Sequence, residues 1–81
     1  MLHNYKFMQQ FKGYTKWPSE LREVALERLL NEYFEDRLII AHSVEDYAKK
    51  LTVIIEQDIT FYEKIEEYEL CQMLNDLKKE L

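Results

Sequence analysis

The chain is 81 residues long, enough for one domain, and a hydrophobic content of 47% is too high for a disordered segment. One cysteine excludes an intrachain disulfide, and one glycine excludes the phosphate-cradling loops and dinucleotide fingerprints that need several. The net charge of −5 is uneven: Lys6, Lys12, Lys16 and Arg22 against Glu20 leave residues 1–22 at +3, while residues 23–81 carry −8, a balance that repels phosphate backbones and suits a basic protein partner.

In chain order, Tyr5, Phe7, Met8 and Phe11 have partial helical spacing, and Gly13 follows where a helix commonly stops in the left-handed region. This predicts a short helix over residues 3–12. Pro18 then stands where a missing N–H costs nothing, and Glu20 complements the positive end of a helix dipole. Thr15 or Ser19 would supply the cap. Leu21, Val24, Ala25, Leu26, Leu29, Leu30, Tyr33 and Phe34 recur every three or four positions, opposite a charged set that includes Glu23, Glu27, Arg28 and Glu35. This is the clearest period in the chain, and it predicts a central helix over residues 18–36.

Leu38-Ile39-Ile40 suits either a short strand or the end of that helix. The helix end with a turn is preferred, because no pairing strand is evident nearby. The run is also far shorter than the ~20 residues a membrane span needs.

Ser43-Val44-Glu45-Asp46 has the pattern of a capping box. The apolar seam then runs through Val44, Tyr47, Leu51 and Ile54, predicting a helix over residues 44–56. Asp58 interrupts the seam, and Thr60-Phe61-Tyr62-Glu63 offers a second capping-box pattern. The expectation is a break or kink at Gln57–Thr60 and a further helix over residues 60–80, carried by Ile65, Tyr68, Cys71, Leu74 and Leu77. An unbroken helix from Val44 onward would be long for a globular domain. The fold expected is therefore a single all-α domain, a bundle of three to four helices built around Pro18–Asp36. Dimerisation is one way for so small a core to gain burial.

The residues offer little chemistry. His3, His42 and Cys71 are the only soft metal-ligand candidates, and none has ligand spacing, so neither a cofactor nor a metal is expected. Cys71 falls on an apolar helical face, where a cysteine is far more often a small core residue than a nucleophile. Ser43–Leu51 has the pattern of the first helix of a helix-turn-helix unit. No glycine-containing turn follows it, and Glu56–Glu69 is acidic where a recognition helix would be basic, which excludes that unit.

Two groups of residues remain as candidate binding sites. Tyr5, Phe7, Phe11, Tyr14 and Trp17 place five of the eleven aromatic residues within thirteen positions, interleaved with Lys6, Lys12 and Lys16. Such rings either pack down as a lid on the neighbouring helix or anchor a partner. Glu63, Glu66, Glu67 and Glu69 form an acidic stretch that suits either a solvated face or a contact with Lys and Arg side chains.

The expected function is a non-enzymatic interaction or regulatory factor that binds another protein, as an inhibitor, an antitoxin- or immunity-type partner, or an adaptor. Phe7, Phe11, Tyr14 and Trp17 would supply affinity, and the four glutamates would steer a basic partner. A small DNA- or RNA-associated regulator using the basic aromatic segment is the first alternative, and a self-assembling structural subunit the second. The single cysteine and the absence of a continuous apolar stretch in Met1–Gln10 make a cytoplasmic setting the expectation.

Overall fold

Leu70, Met73, Leu74 and Leu77 recur at the spacing that lines one face of a helix, and all four are fully buried. Around them the computed structural model describes residues 5–36 and 38–81. It comprises α1 (Tyr5–Met8), α2 (Ser19–Asp36), α3 (Val44–Lys64) and α4 (Tyr68–Lys79), with 3-10 turns at Gln9–Phe11 and Tyr14–Lys16. No strand occurs among the described residues. The fold is the all-α bundle the periodicity predicts. The predicted start of the first helix at residue 3 lies outside the described residues.

The centre is α4 rather than Pro18–Asp36. With only twelve residues, α4 buries Leu70, Cys71, Met73, Leu74 and Leu77, whereas the eighteen residues of α2 bury Ala25, Leu26, Leu29 and Tyr33. α3, α2 and the Tyr14–Lys16 turn all pack on α4. The long apolar period of α2 is only partly used. Leu21, Val24 and Phe34 remain about half exposed, because the neighbouring layer covers just one edge of that face. Pro18 sits one position earlier than expected, and its carbonyl accepts the first helical bond from the Arg22 N–H at 3.0 Å.

α3 starts as the sequence predicts. The Ser43 hydroxyl accepts from the Asp46 N–H at 3.0 Å. The Asp46 carboxylate reaches back one residue further than a capping box requires, to the His42 N–H at 3.0 Å. That hydrogen bond, with Lys50 adding a smaller effect, holds the Asp46 carboxyl below its ordinary range. The β-branched run Thr52–Ile55 stays helical, with the Thr52 hydroxyl donating to the Ala48 carbonyl at 2.7 Å.

The expected break at Gln57–Thr60 is absent, and the helix expected over residues 60–80 begins only at Tyr68. Asp58 interrupts the apolar pattern but not the helix. It lies fully buried in the same seam as Leu51, Ile55 and Tyr62, and it accepts a hydrogen bond from the Tyr33 hydroxyl at 2.6 Å. A buried carboxylate with a donor is tolerated where a bare one would be expelled. Burial, then the bond to Asp58, raises the Tyr33 hydroxyl well above the ordinary tyrosine value. Thr60 caps nothing. Its hydroxyl donates back to the Glu56 carbonyl at 3.1 Å.

The chain reverses instead at Ile65–Glu67. The Glu67 N–H donates to the Tyr62 carbonyl at 2.9 Å and the Glu66 N–H to the Glu63 carbonyl at 3.0 Å. These two bonds define a Schellman motif, with Glu66 in the left-handed position that usually carries glycine. Its φ of 61° makes Glu66 the one non-glycine residue with positive φ among those described. An L side chain pays ~1–2 kcal/mol there, which glycine avoids at an entropic cost of its own.

Glu66→Gly is therefore expected to stabilise the fold by roughly 0.5–1 kcal/mol, measured as a higher urea midpoint with an unchanged slope. A lower midpoint would mean that α3 and α4 do not reverse here.

Candidate functional site

Of the residues singled out by the sequence, the aromatic segment folds inward. Met8, Phe11 and Tyr14 are buried, and Phe7 packs edge-on against Phe11 at 5.4 Å. The helical segment changes from α to 3-10 after Met8 and stops at Phe11, and Gly13 takes the left-handed conformation with φ 88°. A Cβ there would stand 3.3 Å from the Trp17 indole nitrogen. Trp17 is half-buried, its ring tilted 64° to that of Tyr14 at 6.1 Å. Phe11 and Tyr14 therefore belong to the core and cannot anchor a partner. Tyr14 donates its hydroxyl to Asp76 at 2.9 Å, and burial, with that bond, raises its hydroxyl far above the usual tyrosine range.

The acidic stretch is not one surface. Glu63 and Glu66 are exposed, but Glu67 accepts a hydrogen bond from the Tyr5 hydroxyl at 2.5 Å. Glu69 accepts from the Gly13 N–H at 2.6 Å, from the Thr15 hydroxyl at 2.8 Å and from the Thr15 N–H at 3.3 Å. The two carboxylates are straps that hold the N-terminal segment on α4. Thr15, a candidate cap for α2, is occupied by Glu69 instead. Glu63 and Glu67, four positions apart, do not share a helical face, because the reversal places Glu67 beyond the end of α3.

Two surfaces stand out. The first is the corner between α2 and α3. Leu38–Ala41 forms neither the expected helix end nor a strand. Leu38, Ile40 and Val44 are 93%, 76% and 87% exposed, and the half-exposed Phe34 ring lies tilted against that of Tyr47 at 5.7 Å. The Lys50 ammonium donates to the Ile40 carbonyl at 2.5 Å while pairing with Asp46 at 3.1 Å, which ties the loop to α3. Glu35, Asp36 and Glu45 are exposed on either side of it in the chain. The hydrophobic run Leu38–Ile40 was visible in the sequence. Its exposure was not, because a short apolar run reads equally well as core.

The second surface is a groove of about 190 Å³ between the N-terminal segment and α2, lined by Phe11, Trp17, Leu21, Val24, Ala25 and Arg28.

Cys71 is buried with its thiol directed at the Ile59 carbonyl, and burial pushes its pKa up, the opposite of an activated thiolate. Among the described residues no group of three or more His, Cys, Asp or Glu side chains is placed to hold a metal ion. No helix of the described residues is long and apolar enough to cross a membrane. The chain matches no protein-family model, and neither the curated proteins nor the solved structures contain a detectable relative.

The Gly13 N–H, then the Thr15 hydroxyl, hold the Glu69 carboxyl below its ordinary value of 4.5. A carboxyl depressed by folding contributes stability that is present above its unfolded pKa and lost as pH falls through the lower folded one. Glu69→Gln is expected to lower stability by about 1 kcal/mol at neutral pH, with the deficit shrinking in acid below about pH 4. Urea midpoints of both proteins across that range check this. A deficit that stays constant with pH would remove the charge from the strap.

Proposed function

We propose that this chain is a non-enzymatic interaction domain that binds another protein through the α2–α3 corner. The reading is carried by one observation: Leu38, Ile40 and Val44 are almost fully open to water within a seven-residue stretch that is tied down by Lys50. Single exposed aliphatic side chains are ordinary, but a cluster fixed on a short loop is what an interface leaves when its partner is absent. Burying one such side chain is worth ~1.5–3 kcal/mol, so three of them, with Phe34 beside them, form an adequate anchor. The flanking carboxylates of Glu35, Asp36 and Glu45 favour a partner segment with Lys or Arg around its apolar residues.

An inhibitor, an antitoxin- or immunity-type partner and an adaptor all fit this mode of action. The cytoplasmic setting belongs to the same proposal, supported by a single cysteine kept as a buried free thiol. The nucleic-acid alternative has less support than the sequence suggested. Lys6, Lys12 and Lys16 are exposed, but Phe11 and Tyr14, the rings that would stack on bases, lie inside the core.

The test is a triple substitution, Leu38→Ser, Ile40→Ser and Val44→Ser, with Val53→Ser as a control at an exposed position outside the corner. Both variants are expected to keep the wild-type helical circular-dichroism spectrum. Affinity capture should lose its specific partner with the triple variant and keep it with the control. If sedimentation instead shows a concentration-dependent dimer that the triple variant abolishes, the partner is a second copy. Capture and self-association both unchanged by the triple variant would refute the corner as an interface.

A further inference from the structure

Residues 5–17 hold little regular structure of their own, only the four-residue α1 and two 3-10 turns. Their turn bonds reach back three residues, from the Lys12, Lys16 and Trp17 N–H groups to Gln9, Gly13 and Tyr14. Among the described residues, no backbone-to-backbone hydrogen bond joins this segment to α2, α3 or α4. Five hydrogen bonds do join it to the rest, and each ends on a carboxylate. Glu67 accepts from the Tyr5 hydroxyl, Asp76 from the Tyr14 hydroxyl, and Glu69 takes the other three, from Gly13 and Thr15. Glu69 and Asp76 stand seven residues apart, about two turns along one face of α4. Beneath these ties lie the buried side chains of Met8, Phe11 and Tyr14.

The junction with α2 opens without unwinding a helix. Trp17 is extended, with φ −76° and ψ 152°, and α2 begins beyond it with its own first bond, from the Arg22 N–H to the Pro18 carbonyl. α2 and α3 keep their mutual tie, from the Tyr33 hydroxyl to Asp58, and α3 keeps its Ser43 cap. A contiguous segment that shares its ties and lacks a backbone ladder to the core is what opens as a unit below the free energy of global unfolding.

We propose that residues 5–17 form a lid on α4 that opens as one body about Trp17–Pro18, with the ionised carboxylate of Glu69 as its latch. A hydrogen bond to an ionised group is roughly twice as strong as one between neutral groups, so a proton on Glu69 weakens three of the five ties together. Facing Glu69 are the Gly13 N–H, the Thr15 hydroxyl and the charge of Lys16. Glu67 meets Tyr5, with Tyr62 of α3 nearby. Asp76 meets Tyr14 and the Gln72 amide, and Arg22 of α2 and Glu80 act on the same Tyr14. The closed lid holds the Glu69 carboxyl below its ordinary range, so the closed state binds fewer protons than the open one, and acid favours opening. Opening withdraws Met8, Phe11 and Tyr14 from the apolar side of α4. The device involves neither the corner nor its partner, so the two proposals stand or fall separately.

Amide exchange resolved by residue tests it on the full chain. The Gly13 and Thr15 amides bond Glu69 directly, whereas those of Lys16 and Trp17 bond within the segment and report the lid as a whole. All four are expected to share one opening constant, ~hundredfold or more above that of the α4 amides. Glu69→Gln should raise that shared constant by ~fivefold at about pH 6, and the wild type should approach the variant as pH falls to about 3. Trp17, the sole tryptophan and half-buried against Tyr14, supplies a second probe. In acid its emission should shift at a higher pH than the loss of the helical circular-dichroism signal. Lid amides that exchange with α4 would overturn the proposal, as would coincidence of the two acid transitions. An effect of Glu69→Gln confined to Gly13 and Thr15, or no effect, would also overturn it.

Discussion

The structure depends on a stripe of leucine and methionine side chains on α4, the shortest of its three long helices. Leu70, Met73, Leu74 and Leu77 on α4 are excluded from water, and each other element is positioned by what it offers to that stripe. α3 lies along it through Leu51, Ile55 and Tyr62. α2 reaches it through Leu26 and Leu29, and the N-terminal segment closes it with Met8, Phe11 and Tyr14. A chain of this size has little burial to spare. The same economy explains why the edges of α2 and the whole α2–α3 corner stay uncovered: the stripe is filled before those side chains find a place.

Carboxylates do unexpected duty in this arrangement. Asp58 is taken into the seam of α3 with Tyr33 as its donor, and Asp76 meets Tyr14. Glu67 and Glu69 hold the N-terminal segment through Tyr5, Gly13 and Thr15. Much of what looks like a negatively charged face in the sequence is a set of internal ties between distant parts of the chain. These ties take up carboxylates that could otherwise pair with the lysines of residues 5–18, all of which are exposed.

The fold class was legible because periodicity survives translation into structure: apolar residues three and four apart, a serine before an acidic turn, and a lone glycine after an aromatic segment each mark the element the structure contains. The misplaced break shows the limit. Asp58 marks the end of an apolar seam by the usual rule for a carboxylate, yet its donor lies twenty-five residues away on another helix. The real reversal carries glutamate in a position where glycine is the usual signal, so nothing local announced it. Candidate sites were less legible still. Phe11, Tyr14 and Glu69 have the composition of an interface, yet they are consumed by packing and by hydrogen bonds across more than fifty residues. Which apolar residues are left over follows from how the elements fill α4, a property of the whole chain and not of any window in it.

The corner acquires its meaning from that residue of uncovered surface, so the placement of α4 at the centre is the claim to test. Amide hydrogen exchange resolved along the chain does so most directly. The account predicts the slowest exchange in α4 and the facing part of α3, uninterrupted protection through Gln57–Thr60, and rapid exchange at Leu38–Ala41. Slowest exchange in α2, or an unprotected gap at Gln57–Thr60, would contradict it.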